Sequence, residues 1–249
     1  WWRKRRFAYL AHGAGSKVVV HIHSGKFDTW LNSCSLRKQR LIRDTLQRPM
    51  TTGVVLSNAW KSRLESQLGE LLVVFNPIKP GLEPPTEPRS KNNLLLLGRN
   101  SAVKGHDFAI ELSNHLRSEF PELTLTLTGR NLAEPNWIRA LGWVTEDEKL
   151  RLLQNSTILL VPSEYEGQPM VVLEALACGL PVCVSDRLVD IPKGVEAADY
   201  GDIEHWAKVI SGLLKSPPDA ITLLESSQPY RIESISNEWK RVYESAIEL

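Results

Sequence analysis

The chain has 249 residues, a formal net charge of +1 and 42% hydrophobic content, enough for one large domain or two small ones. No apolar run approaches the ~20 residues of a membrane-crossing helix, and no signal-peptide pattern opens the chain. Three cysteines, Cys34, Cys178 and Cys183, stand at no metal-ligand or redox spacing and no His/Cys/Asp cluster points to a metal, which fits a cytoplasmic protein with small buried thiols.

In chain order, the first element is a helix over 3–12, opened by Trp1, Trp2 and the run Arg3-Lys4-Arg5-Arg6. A strand is expected at 17–22, a helix at 31–46 carrying Arg37, Lys38, Arg40 and Arg43, a strand at 53–57, a helix at 58–67 and a strand at 71–75. The first 80 residues hold 14 Lys and Arg against 4 Asp and Glu, a net +10, and the remainder 16 against 25, a net −9. That asymmetry suits an anionic membrane surface as a partner of the basic half, although charge runs also serve as plain solvated faces. No recognised nucleic-acid-binding motif accompanies it, so nucleic acid is not expected as a partner.

Pro77, Pro80, Gly81, Pro84, Pro85 and Pro88 then break any helix or central strand. The chain therefore divides into a first domain at 1–79, a linker at 80–91, a second domain at 92–230 and a C-terminal segment at 231–249. In the second domain strands at 94–98, 123–128, 157–161 and 182–185 alternate with helices at 107–119, 146–154 and 170–178. Thr145-Glu146-Asp147-Glu148 forms a capping box ahead of the middle helix. Such βα alternation implies α/β architecture with a doubly wound parallel sheet. A last helix is expected at 235–247, with Trp239 and Tyr243.

Two stretches carry chemistry. Residues 94–105 read LLLLGRNSAVKG: four leucines without alternation fit a strand buried on both faces, and Gly98 turns the chain to present Arg99 and Lys104 at its C-terminal end. Open α/β sheets bind ligands at that edge, and an Arg fork with a compact Lys charge suits a diphosphate. Residues 163–185 read SEYEGQPMVVLEALACGLPVCVS. Pro169 suits the first turn of a helix and Gly179, followed by Pro181, its end. Glu174 then lies about one turn inside, with Glu166 in the loop before it. Free amides at such a terminus favour an anion, and a carboxylate accepts two hydrogen bonds from a vicinal diol. Phosphate plus diol describes a nucleotide-sugar.

At these residues the chain resembles the retaining GT-B glycosyltransferases, most closely family 4. The E-G-x-P loop stands as Glu166-Gly167-Gln168-Pro169, and E-A-x-A-x-G-x-P-V runs from Glu174 to Val182. G-R-x-x-x-x-K-G runs from Gly98 to Gly105. In the first half the family's pattern is matched by Lys17-Val18 with His21, His23 and Phe27, then by Ser57 with Trp60, and by Asn76-Pro77-Ile78. The resemblance covers almost the whole chain. It implies two Rossmann-like parallel sheets and transfer of a sugar from a nucleotide-diphosphate sugar to a glycan or lipid-linked acceptor, with retention of anomeric configuration. Glu174 would hold ribose hydroxyls and Glu166 sugar hydroxyls. Arg99 and Lys104 would neutralise the departing diphosphate, helped by the amides of Gly167 and Gln168. His23 would reach donor sugar or acceptor, and backbone near Gly129 and Trp143 would read the base. No cofactor or metal is expected beyond the donor itself. The C-terminal helix would cross back to the first domain, and the protein would lie in the cytoplasm or peripherally on the inner face of the membrane.

The chain departs from the family pattern at its start. The opening strands and Gly-rich acceptor-side loop have no counterpart before Trp1, which implies a truncated first domain with an exposed strand edge. A nucleotide-sugar-binding fragment without turnover, or a GT-B nucleotide-sugar epimerase, are the alternatives. No lysine motif for pyridoxal phosphate suggests a phosphorylase.

Overall fold

The computed structural model describes residues 1–131 and 135–248, Ile247 and Glu248 by their backbone alone. They form two units: residues 1–77, 166–168 and the C-terminal helix in the first, 78–165 and 169–231 in the second.

The first unit runs α1 (Trp2–Gly13), β1 (Val18–Ile22), α2 (Phe27–Ser33), α3 (Leu36–Leu46), β2 (Thr51–Val55), α4 (Asn58–Leu68) and β3 (Leu72–Val73). Its three strands pair in parallel in the order β1-β2-β3, with Val18 opposite Thr51 and Val54 opposite Leu72. The single helix expected at 31–46 is two. Cys34 and Ser35 turn extended between α2 and α3, and the Gln39 amide donates to the carbonyls of Leu31 (3.1 Å) and Cys34 (2.9 Å) left open there. The strand expected at 53–57 lies two residues earlier. Ser57 instead caps α4, its hydroxyl accepting the Trp60 amide at 3.3 Å.

The second unit runs β4 (Asn93–Leu96), α5 (His106–Leu116), β5 (Thr124–Leu127), β6 (Ile138–Ala140), α6 (Glu146–Asn155), β7 (Ile158–Val161), α7 (Met170–Ala177), β8 (Val182–Ser185), β9 (Glu196–Ala198), α8 (Ile203–Lys215) and α9 (Ala220–Ser227). All six strands are parallel, in the order β6-β5-β4-β7-β8-β9. The order reverses between β4 and β7, and the carboxyl ends of those two strands are where such a sheet binds ligands. Leu94, Leu96, Leu125, Leu127, Ile158 and Leu160 meet Leu112, Trp206 and Ile210 in one core. Trp206 is fully buried, and its indole N–H donates to the Asp199 carbonyl at 3.0 Å. The last helix, α10 (Ile232–Glu248), belongs to the first unit, where Ile235 and Val242 pack on Val54 and Val74.

The capping box of α6 is formed on both sides: the Thr145 hydroxyl accepts the Glu148 amide (3.2 Å) and the Glu148 carboxylate accepts the Thr145 amide (2.7 Å). At its other end α6 is joined to α7 by a side chain. Arg89, half-buried in the proline-rich stretch, donates to the carbonyls of Leu153 (2.6 Å), Gln154 (2.8 Å) and Ser156 (3.3 Å), and through its other nitrogen to Cys178. One cation thus satisfies the open C-terminal carbonyls of two helices. Arg89→Ala is expected to cost about 3 kcal/mol in urea unfolding, since it strips partners from several carbonyls at once. Arg89→Lys should recover less than half of that, because an ammonium cannot span both helix ends with a fork.

Candidate functional site

In the second unit the loops at the carboxyl ends of β4, β5 and β7 are drawn together by glycines. Gly129 has φ +76°, and a Cβ there would stand 2.3 Å from the Gly98 carbonyl oxygen and 2.7 Å from the Arg99 Cα. Only glycine lets the loop after β5 lie against the loop after β4. The Gly98 amide completes the contact by donating to the Thr128 hydroxyl at 2.9 Å. Gly105, at φ +71°, packs on Pro162 in the same way, and the Glu164 amide donates to Val103 at 2.9 Å. Lys104 runs along Gly98, whose Cβ position lies 3.5 Å from the lysine Cδ. Arg99 is exposed beside it. Gly98, Arg99, Lys104 and Gly129 therefore share one edge of the sheet, with Arg130 next to them in an ion pair to Asp107 at 2.5 Å.

From β7 the chain enters α7. Pro169 stands at the N-cap, one position ahead of the first turn. The helix closes in a Schellman motif, with the Gly179 amide donating to Leu176 and the Leu180 amide to Ala175, both at 2.9 Å, and Gly179 at φ +64°. Glu174, on this helix, is only 4% exposed. Its Oε1 accepts from the Lys149 ammonium at 2.9 Å, while its buried Oε2 has no hydrogen-bond partner among the described residues. Lys149 also meets Glu146 at 3.0 Å, and Glu146 meets Lys79 at 3.0 Å. Burial pulls the Lys149 pKa down, but the hydrogen bonds and charges of Glu174 and Glu146 outweigh it and leave the pKa raised. Lys149 is thus charged at neutral pH.

The first unit holds the remaining candidates. Residues 166–168 approach the segment after β1 so closely that neither side tolerates a side chain. A Cβ on Gly167 would stand 2.3 Å from the His23 carbonyl oxygen, and one on Gly25 2.4 Å from the Glu166 carbonyl carbon. The Trp60 indole donates to the Gly167 carbonyl at 2.8 Å and the Asn76 amide to the Gln168 side chain at 2.7 Å. These bonds give Trp60 and Asn76, noted in the sequence only as family pattern, a physical task. His21 and His23 lie on one face of β1's end, ring centroids 4.1 Å apart, with His21 edge-on to Trp239 at 5.1 Å. Burial and then the neighbouring His23 push the His21 pKa down to about 4, against a hydrogen bond to the Val74 backbone. Burial and then Lys4 lower that of His23. Both rings line a cavity of about 620 Å³ with Trp1, Lys4, Phe27 and Trp30.

Trp143 is placed apart. Its side chain, 86% exposed, lines a cavity with Arg139, Glu148, Arg151 and Asn155, and not with Arg99, Lys104 or Glu174. Only its backbone neighbour Gly142 reaches the sheet edge, accepting the Gly129 amide at 2.9 Å. Sequence reasoning missed Lys149, whose partner Glu174 is 25 residues away on another helix. Among the described residues no group of His, Cys, Asp and Glu is arranged to hold a metal, and no helix is long and apolar enough to cross a membrane.

Two all-parallel α/β units, one presenting basic groups and a buried carboxylate around its switch point, are the architecture of GT-B nucleotide-sugar enzymes. The chain belongs to the glycosyl transferases group 1 family, whose model matches residues 91–216, half of its length. It is 25% identical over 169 residues to an uncharacterized glycosyltransferase of Haemophilus influenzae, covering 60% of this chain and 48% of that one. To a glycogen synthase of Mycobacterium tuberculosis it is 24% identical over 232 residues, or 82% and 56% of the two chains. It thus spans about half the length of these curated relatives. The structure of Anabaena Alr3699/HepE in complex with UDP matches with a TM-score of 0.78 at 16% identity, over 97% of this chain and 76% of that one. Sucrose-phosphate synthase from Thermosynechococcus elongatus matches at 0.72 and 19% identity, over 92% and 68%. At such identities the likeness shows the fold, and that fold is GT-B.

Two consequences are measurable. The unfolded chain protonates His21 below its ordinary pKa of 6.5, whereas the folded ring stays neutral down to about 4. Stability contributed by the neutral ring is therefore whole above pH 6.5 and is lost as pH falls from 6.5 to 4. Discounted for the ring's partial exposure, the loss should be about 1–2 kcal/mol. Urea titrations at pH 7 and pH 4.5 should show a smaller difference in His21→Gln than in wild type. Separately, Gly129→Ala combines an unfavourable φ with a collision against backbone, and should destabilise the protein by about 3 kcal/mol. A thermal midpoint unchanged in that variant would show that the two loops do not need their contact.

Proposed function

We propose that the chain acts as a retaining family 4 glycosyltransferase, moving a sugar from a nucleotide-diphosphate sugar to a glycan or lipid-linked acceptor. The observation that carries this reading is Glu174: a carboxylate buried beside a ligand-binding sheet edge, with one oxygen paired and the other left without a partner. A free acceptor in such a place calls for a donor from a ligand, and a ribose diol supplies two. Arg99 and Lys104, at the end of β4, take the diphosphate and stabilise the charge that develops on it as the glycosidic bond breaks. Glu166 holds sugar hydroxyls, with the amides of Gly167 and Gln168 beside it. His23, neutral at pH 7, serves sugar or acceptor as a hydrogen-bonding group and not as a cation. Backbone around Gly129 and Gly142 reads the base. The UDP in the HepE structure supports a uridine nucleotide as the first donor to try.

α1 exposes Trp2, Phe7 and Leu10 among Arg3, Arg5 and Arg6, which supports a peripheral position on an anionic membrane face in the cytoplasm. A second reading is donor binding without turnover.

The test is isothermal titration of UDP, GDP and ADP, followed by transfer assays with the sugar donors of whichever base binds. Binding of one base is expected, with Arg99→Ala and Glu174→Ala each weakening it about tenfold or more. Lys104→Ala should slow transfer by roughly 10²–10³-fold, the weight of one preplaced charge donor. A folded protein that binds none of the three sinks the transferase reading, and binding without transfer decides for the second reading.

A further inference from the structure

We infer that Lys149 is a positioning residue of the nucleotide site, holding Glu174 ionised and turned so that Oε2 faces the ribose diol. The inference rests on the nucleotide reading above and adds to it a residue that neither the family pattern nor the sheet edge supplies.

A carboxyl group 4% exposed, with no cation beside it, takes up a proton in preference to losing its hydration. Protonated, it presents an O–H and loses the capacity to accept from two hydroxyls at once. Lys149 prevents this. Its ammonium sits 2.9 Å from Oε1, on a side chain only 18% exposed, so the attraction is poorly screened. It also orients the group, because occupation of Oε1 leaves Oε2 as the open acceptor.

The ammonium is itself fixed. Glu146 holds it at 3.0 Å, Lys79 holds Glu146 at 3.0 Å, and the capping box at Thr145 and Glu148 sets the first turn of α6 that carries both Glu146 and Lys149. A pair meant only for packing would satisfy both carboxylate oxygens, since a buried acceptor left open costs about 1–3 kcal/mol. Here one oxygen is spent on the lysine and one is kept.

Other ionisable groups stand around Glu174. Cys178 on the same helix is pushed up to about 11, chiefly by burial. Arg89 and Arg231 act on Cys178 from the flanking segments, and Lys149 is held in the charged form by Glu174 and Glu146.

The experiment is isothermal titration of UDP, GDP and ADP and their 2′-deoxy analogues into the wild type, Lys149→Met and Lys149→Arg at pH 7, 8 and 9. The wild type should prefer the ribonucleotide of its base at every pH, with flat affinity. Lys149→Met should lose about tenfold or more at pH 7 together with the ribose preference, and regain both toward pH 9 as Glu174 ionises unaided. Lys149→Arg should keep both. If Lys149→Met cannot fold around an uncompensated carboxylate, Lys149→Met/Glu174→Gln removes that charge. Its affinity should then equal that of Glu174→Gln alone, the signature of a residue acting only through its partner. Wild-type affinity and ribose preference in a folded Lys149→Met, or a loss that is the same at every pH with the preference intact, overturns the role of Lys149 while leaving the nucleotide reading standing. A wild type that binds no nucleotide overturns both.

Discussion

A carboxylate cannot be buried without being answered, and much of the second unit is arranged around the answer to Glu174. The group lies nine-tenths inside the protein on α7, and its cation comes from a different helix, α6. The two helices must therefore be held in register to within the length of a hydrogen bond. Arg89 does this from outside the sheet, by joining the C-terminal carbonyls of α6 to that of Cys178 at the end of α7. The Schellman turn at Gly179 then stops α7 at a fixed residue, and the capping box starts α6 at another. Caps, arginine and ion pair form one chain of constraints ending on a single oxygen atom.

A second constraint is steric. At two glycines backbone meets backbone. Gly129 admits the Gly98–Arg99 loop, and Gly167 admits the His23 carbonyl. In each case the absent Cβ brings a polar segment within hydrogen-bonding distance of a neighbour, as Gly98 bonds to Thr128 and Gly167 to Trp60. The glycines help to place Arg99 and Glu166 by letting neighbouring backbones approach.

The legible parts of the sequence were those whose cause is local. Unbroken apolar runs gave β4, β7 and β8, the Thr145 box gave the start of α6, and Gly179-Leu180-Pro181 gave the end of α7. Where the cause is distant, the sequence was mute or misleading. The break at Cys34-Ser35 depends on a glutamine five residues on that folds back to the open carbonyls. The strands β6 and β9 are three residues long and owe their existence to register with neighbours, not to β-branched composition. By contrast α8 repeats Ile203, Trp206, Ala207, Ile210 and Leu213 at helical spacing behind the Asp202 cap, and Trp206 on it fills the centre of the core. Of the site, the residue types at the sheet edge could be read from spacing, whereas Lys149 and Arg89 looked like two charges among thirty.

The Lys149–Glu174 pair is poorly explained by stability. Burying two charges costs more in lost hydration than their attraction commonly returns, and apolar side chains of similar size often do as well or better. The pair here does not even satisfy itself, since Oε2 is sealed from solvent without a partner. Such an arrangement is costly by itself, and that cost is what the proposed ligand hydroxyls would offset. Arg99 and Lys104 are likewise charges set in place, at the end of β4. Preplacement of charge, with its penalty absorbed by helix caps, a buried arginine and close glycine contacts, is the physical content of the family signature in this chain.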